Sequence, residues 1–198
     1  MTRAKLKVGL ICGGTSGEHQ VSLISAYHIQ RALDRERFEV LMIGIAKNGT
    51  WFLGEPDGFL ENVDDVHRVF FNAQTPARIP ECSPRTASTE SRASLAEIDV
   101  FFPITHGRLG EDGALQGLLE LAGKPYVGAD VYGSAVCMDK DVCKRLLMLR
   151  GIPVAPYRVL RSGESWSFSQ AEKELGNPLF VKPSREGASL GVYKVRNS

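Results

Sequence analysis

Two short apolar runs separated by one helical stretch, all within the first 45 residues, constrain this chain more than any other feature. Lys5 to Cys12 (KLKVGLIC) is apolar and stops at Gly13-Gly14. Val21 to Leu33 then carries Ala26, Ile29 and Leu33 at helical spacing, and Phe38 to Ile45 (FEVLMIGI) is apolar again. Strands covered on both faces read as continuous apolar runs, and a parallel pair needs a crossover, so the pattern predicts strand, helix, parallel strand. A further buried strand is predicted over Ile98 to Ile104. It precedes a helix with the stripe Leu115, Leu118, Leu119 and Ala122, closed by Gly123 and Pro125. The first ~130 residues therefore read as a doubly wound α/β layer.

After Asp139 the pattern changes. Val142, Leu146 and Leu149 predict a helix stopped by Gly151 and Pro153, and Ala155 to Leu160 alternates like an edge or antiparallel strand. Ser169-x-x-Glu172 has the form of a capping box opening a helix that ends at Gly176-Asn177-Pro178. Leu179 to Lys182 and Gly191 to Val195 follow as two more strands. These features divide the chain into a domain over 1–136 and another over 137–198. About 60 residues with three short strands predict a sheet with one bare face. Between the second and third strands of the first domain, Asn72 to Ala93 is rich in Ser, Thr, Pro and charge, which predicts a mobile surface excursion.

Composition excludes several partners. The 198 residues hold 24 Lys+Arg against 23 Asp+Glu, a net charge of +1, which leaves no field to attract nucleic acid or an anionic bilayer. Val8 to Cys12 is too short for a signal core or a membrane span, so a cytoplasmic location without membrane contact is expected. The four cysteines, Cys12, Cys82, Cys137 and Cys143, form no CxxC. They read as reduced and structural, with Cys137 and Cys143 on different sides of a helix.

Candidate chemistry gathers at strand ends. Gly13-Gly14-Thr15-Ser16-Gly17-Glu18 joins the first strand to the first helix. It is neither GxGxxG nor a P-loop, which counts against a dinucleotide oxidoreductase. Glu18 either compensates a helix dipole or faces the crevice to hold a cationic group such as an amine. His106, in Ile104-Thr105-His106-Gly107-Arg108-Leu109-Gly110-Glu111-Asp112-Gly113, follows a buried strand on the same predicted edge. Lys140 sits in the first turn of a helix, where a cation opposes the macrodipole, and is either solvated beside Asp139 and Asp141 or aimed at a phosphate. Lys182 ends an apolar strand before Pro183, and Ser184 to Gly191 can fold its backbone N–H groups over an anion, with a desolvated Lys182 beside it.

Taken in order, GGTSGEHQVSLISA, FPITHGRLGEDGALQG, MDKDVCKRLL and PLFVKPSREGASLGV resemble the D-alanine:D-alanine ligases, ATP-grasp enzymes of peptidoglycan precursor synthesis. The resemblance covers nearly the whole chain apart from residues 54–95. It implies a Rossmann-like pre-ATP-grasp domain followed by the beginning of an ATP-grasp α+β domain. It also implies that MgATP activates one D-alanine as an acyl phosphate, which the amine of a second D-alanine attacks. By the same resemblance Glu18 orients the ammonium of the first D-alanine, with His106 near that subsite. Lys140 and Lys182 hold the ATP phosphates, and Glu186, Gly187 and Ser189 belong to the small loop closing over them. A homodimer is implied as well. The family loop commonly reads Gly-Ser-Ser-Val-Gly, its first serine bonded to the glutamate, whereas this chain has Ala188 there. The family extends beyond this length, and the adenine pocket, the Mg²⁺ ligands, the oxyanion arginine and the acceptor loop are expected in the part without a counterpart here. A D-alanyl-D-lactate ligase and a non-catalytic binding or dimerisation module are the competing readings.

Overall fold

Every long apolar run of the first half becomes a strand or a helix in the computed structural model, which describes residues 4–72, 75–77, 95 and 97–196. The chain divides into two units, Met1–Ser134 and Ala135–Ser198. In chain order the first holds β1 (Leu6–Gly13), α1 (His19–Ala32), β2 (Phe38–Ile45), β3 (Trp51–Gly54), β4 (Leu60–Glu61), β5 (Phe70–Phe71), β6 (Thr75–Ala77), β7 (Val100–Pro103) and α2 (Ala114–Leu121). Its main sheet has the order β6-β3-β2-β1-β7. β1 pairs in parallel with β2, from Leu6 opposite Phe38 to Gly13 opposite Ile45, and on its other side in parallel with β7. β3 and β6 extend the sheet antiparallel beyond β2.

Side chains of successive strand residues point to opposite faces, and here both faces are covered. Leu10, Cys12, Val40 and Met42 pack with Leu23 and Ala26 of α1 and with Phe59. Ile11, Ile43, Ile45, Trp51 and Phe101 pack with Leu115 and Leu119 of α2. Burying each such large side chain contributes about 1.5–3 kcal/mol, which explains why these strands carry no polar alternation. α1 starts at His19, two residues ahead of the predicted Val21, because the Glu18 carbonyl already accepts the Ser22 N–H at 3.1 Å.

The predicted excursion over Asn72 to Ala93 is corrected where it is described. Thr75–Ala77 forms an edge strand against β3, where Pro76 is tolerated because it has no outer neighbour among the described residues, and the Asn72 N–H donates to the Phe59 carbonyl. The rest of that stretch lies outside the described residues. After α2 the chain also returns to β7: Phe101 N–H donates to the Pro125 carbonyl and Val127 N–H to the Phe101 carbonyl, each at 2.9 Å.

α3 (Val131–Met138) spans the junction between the units, and the second continues with α4 (Lys140–Leu149), α5 (Phe168–Leu175) and the antiparallel pair β8 (Leu179–Val181) and β9 (Tyr193–Val195). Cys137 and Cys143 thus belong to two separate helices rather than to two sides of one, because Asp139 ends the first and caps the second. Ala155 to Leu160 forms no strand. Among the described residues it has no ladder partner, and side chains of α4 hold it: Lys144 Nζ donates to the Ala155 carbonyl at 3.1 Å, and the Tyr157 hydroxyl to Asp141 at 3.0 Å. The capping box of α5 lies two residues earlier than predicted. Ser167 has the extended backbone an N-cap requires, and it exchanges bonds with Gln170, while Ser169 lies inside the helix. On the small sheet, cross-strand neighbours Val181 and Tyr193 are 57% and 67% exposed, leaving that face bare within this unit. Among the described residues no helix is long and apolar enough to cross a membrane.

Candidate functional site

The chain leaves β1 toward β2 on one side and reaches β7 on the other, so the loops after β1 and β7 diverge at the carboxyl edge of the sheet. Open α/β sheets bind ligands at such a switch point. Here the two loops are stitched together. Ser22, fully buried on α1, accepts the Gly13 N–H at 2.8 Å and donates to the Ile104 carbonyl at 2.6 Å. Ser16 Oγ donates to the His106 carbonyl at 2.7 Å, and Gly14 N–H to the Ile45 carbonyl at 2.7 Å.

Glu18 and His106 come together at this seam. Gly107 has φ +73, and a methyl group there would stand 3.2 Å from Oε2 of Glu18 and 3.0 Å from Cβ of Ser16, so the two loops meet in contact. Glu18 is the N-cap residue of α1, yet its side chain makes no capping bond, and among the described residues no hydrogen bond or ion pair engages its carboxylate. It is a half-buried anion at a helix N-terminus, able to take the N–H groups of an amine. His106 is held from two sides, its Nε2 3.3 Å from Ser25 Oγ and its Nδ1 3.6 Å from Glu111 Oε1. The other oxygen of Glu111 accepts the Gly107 N–H at 2.7 Å, so this one carboxylate fixes both the ring and the loop.

His19, Ser22, Ser25 and Glu111 were not singled out from sequence. Ser22 was legible in principle, since a hydroxyl between apolar helix positions must find partners when buried. His19 is 8% exposed, and its Nδ1 stands 2.7 Å from the Gly14 carbonyl, which requires Nδ1 to carry the proton. Burial depresses its pKa below the ordinary 6.5, with the Lys47 charge adding to the effect and the Gly14 bond opposing it. The unfolded chain therefore binds a proton that the folded chain refuses. Stability should be full above pH 6.5 and decline as the pH falls from there toward the folded value. Urea midpoints at mildly acidic and neutral pH should show this decline, and His19→Gln should remove its share.

The second cluster lies in the second unit. Asp139, with its side chain 13% exposed, caps α4 by accepting Asp141 and Val142 N–H groups at 3.1 and 3.3 Å. It also accepts Ser184 Oγ at 2.8 Å and Arg185 Nε at 2.7 Å. The Arg185 guanidinium first, and then the Ser184 hydroxyl, hold its carboxyl well below the usual carboxylate range. Lys140 is not a free solvated lysine: its N–H donates to the Ser184 carbonyl at 3.0 Å and its Nζ to the Glu186 carbonyl. Lys182 directly follows β8 and is exposed rather than desolvated. Its charge adds to the burial that lowers the pKa of Lys144. Ala188 and Ser189 have φ +46 and +61, and among the described residues the N–H groups of Gly187, Ala188 and Ser189 find no acceptor. Successive unpaired amides beside lysines suit the oxygens of an anion such as phosphate. No group of three or more His, Cys, Asp and Glu among the described residues could hold a metal ion.

A partly parallel sheet with its crevice at the switch point, followed by a smaller α+β unit with an amide-lined loop, defines the ATP-grasp ligases as a class, and solved structures of that class share the fold. The D-alanine-D-alanine ligase of Coxiella burnetii is 34% identical with a TM-score of 0.76, the alignment covering 98% of this chain and 55% of that one. The VanG D-Ala:D-Ser ligase of Enterococcus faecalis is 34% identical with a TM-score of 0.73, over 98% and 57%. Residues 7–129 match the family described as D-ala D-ala ligase N-terminus and residues 146–198 that described as D-ala D-ala ligase C-terminus, so the chain belongs to the D-alanine–D-alanine ligase family. D-alanine–D-alanine ligase A of Chromobacterium violaceum is 50% identical over 197 residues, 97% of this chain and 54% of that protein. Its namesake in Escherichia coli K12 is 45% identical over 196 residues, 96% and 54%. The chain thus spans about half the length of the curated relatives it matches.

Proposed function

We propose that these residues form the donor-substrate and phosphate-binding part of an ATP-dependent ligase that joins two D-alanine molecules for peptidoglycan precursors. On this reading residues 1–136 are the pre-ATP-grasp domain and 137–198 a portion of the ATP-grasp central domain. The enzyme works in the cytoplasm on small substrates, as a homodimer in keeping with the family. The observation that carries the reading is the Glu18 carboxylate, without a hydrogen-bond or ionic partner among the described residues, at the switch point where the His106 loop meets it, in a chain of this family. Glu18 takes the ammonium of the first D-alanine. His106, steadied by Ser25 and Glu111, offers a ring nitrogen to the same amino acid. Lys140, Lys182 and the amides of Gly187 and Ser189 hold the ATP phosphates, with Glu186 contributing the carbonyl that seats Lys140. ATP supplies the phosphoryl group that activates the donor carboxylate. Phosphoryl transfer asks the protein mainly for positioning and positive charge, which fits a site without a nucleophile of its own. Among the described residues no group of three or more His, Cys, Asp and Glu could hold Mg²⁺.

A ligase with another acceptor, D-lactate among them, is the second reading. The D-Ala:D-Ser ligase VanG is as similar as the Coxiella enzyme, at 34% each, and Glu18 and His106 would serve the donor in either case. The test is phosphate release requiring both ATP and D-alanine, in a chain carrying the further residues its relatives have. Absence of such release would favour a non-catalytic module. In that enzyme Lys182→Ala removes a charge-assisted contact worth roughly 1.5–3 kcal/mol, about 10- to 150-fold in kcat/KM for ATP. Unchanged ATP kinetics would leave Lys182 a solvated surface lysine.

A further inference from the structure

We propose that Asp139 is the positioning residue of the phosphate loop: by tying Ser184 and Arg185 to the first turn of α4, its carboxylate holds Glu186–Ser189 in the conformation that receives an anion. The proposal rests on the nucleotide reading above only for the identity of that anion.

Asp139 does more than an N-cap requires. Two backbone amides would satisfy that role, yet the same carboxylate also takes the Ser184 hydroxyl and the Arg185 guanidinium, 45 and 46 residues away. Lys140 adds its own N–H to the Ser184 carbonyl and its ammonium to the Ser184 and Glu186 carbonyls. Three consecutive loop residues are thereby fastened to one helix end. Immediately after them, Ala188 and Ser189 adopt left-handed φ values of +46 and +61. Non-glycine residues persist there only where the surroundings over-determine them. Beyond the clasp the loop closes with bonds from Leu190 N–H to the Gly187 carbonyl and from Val192 N–H to the Ser189 carbonyl. Among the described residues the amides of Gly187, Ala188 and Ser189 make no hydrogen bond.

Charge follows the same logic. A bare carboxylate at the root of an anion-binding loop would repel the anion. Arg185 neutralises Asp139, leaving the ammonium groups of Lys140 and Lys182 to act. Arg185 is three-quarters exposed, and its guanidinium is the one loop cation committed to the clasp.

Asp139→Asn separates this role from capping, because asparagine caps helices as well as aspartate and still accepts from Ser184, but cannot pair with Arg185 as an anion. Two measurements on the chain read it. Trypsin must draw the Arg185 guanidinium into its own pocket to cut the Arg185–Glu186 bond, and Lys182 is protected by Pro183. Cleavage after Arg185 should be about 10-fold faster in Asp139→Asn, in line with the loss of a charged hydrogen bond, while the helical circular dichroism is retained. Equal cleavage rates overturn the clasp. Calorimetric binding of inorganic tripolyphosphate should weaken by a similar factor, about 10-fold, in both Asp139→Asn and Arg185→Gln, and the double variant should be no weaker than either single one. If Asp139→Asn binds tripolyphosphate as tightly as the wild type or more tightly, while Arg185→Gln binds it more weakly, then Arg185 is a direct ligand and the positioning role fails. A wild-type chain that binds no tripolyphosphate overturns the nucleotide reading, and the clasp is then decided by cleavage alone. In an active enzyme Asp139→Asn should raise KM for ATP and leave KM for D-alanine unchanged.

Discussion

Glu18→Gln, made in a chain with the further residues of its relatives, is expected to lower kcat/KM for the first D-alanine by about 30-fold to several thousand-fold while the KM for ATP hardly moves. The range follows from about 2–5 kcal/mol for truncating one partner of a desolvated, hydrogen-bonded charge pair. Glutamine keeps the size and the acceptor oxygen, so only the charge is lost. Because Glu18 makes no capping bond and has no ionic partner among the described residues, little in the fold should notice the change. Stability should fall by no more than the few tenths to about 1 kcal/mol that a carboxylate at a helix N-terminus contributes. Steady-state kinetics against D-alanine, alongside a denaturation curve, separate the two roles. Wild-type dependence on D-alanine together with a loss of stability would make Glu18 a helix-dipole residue and remove the donor-site assignment.

The parts of this molecule that sequence reveals are those whose physics is local or doubly buried. β1, β2 and β7 are apolar on both faces, so Leu10 and Ile11, or Met42 and Ile43, advertise a covered strand without knowledge of their partners. β3 and β6 are strands of only four and three residues, β6 at the sheet edge and containing Pro76, and nothing in so short a run separates them from a loop. Ala155 to Leu160 shows the converse error: alternation is present, but a strand also needs a neighbour, and Lys144 and Tyr157 fasten the segment to a helix instead. Glu18 and His106 could be singled out because both lie in loops that leave the ends of apolar strands. Ser22 showed only as a hydroxyl between apolar helix positions, with nothing in the sequence to name its partners, and Asp139 bonds residues so far apart in sequence that no spacing rule could bring them together.

The seam that carries Glu18 also makes the sharpest prediction about stability. Gly13 and Gly14 both have positive φ, +86 and +109, so alanine at either is strained by about 1–3 kcal/mol. Their surroundings differ. A methyl group on Gly13 would stand 2.3 Å from the Ile45 carbonyl oxygen, which is backbone of the neighbouring parallel strand and already accepts the Gly14 N–H. On Gly14 the nearest atom is a methyl of Thr105 at 3.9 Å, an ordinary contact. Gly13→Ala must therefore separate β1 from β2 at their carboxyl ends. That would loosen the Gly14–Ile45 bond and disturb the Ser22 hydroxyl that joins Gly13 to Ile104. Strain, clash and lost buried hydrogen bonds together place Gly13→Ala at about 4–5 kcal/mol or more, a large part of the about 5–15 kcal/mol that holds a domain folded. Gly14→Ala should cost only its backbone strain. Chemical denaturation of the two variants measures the difference directly. Equal losses would mean that the close approach to Ile45 does not govern this turn, and the stitched switch point would lose its structural basis.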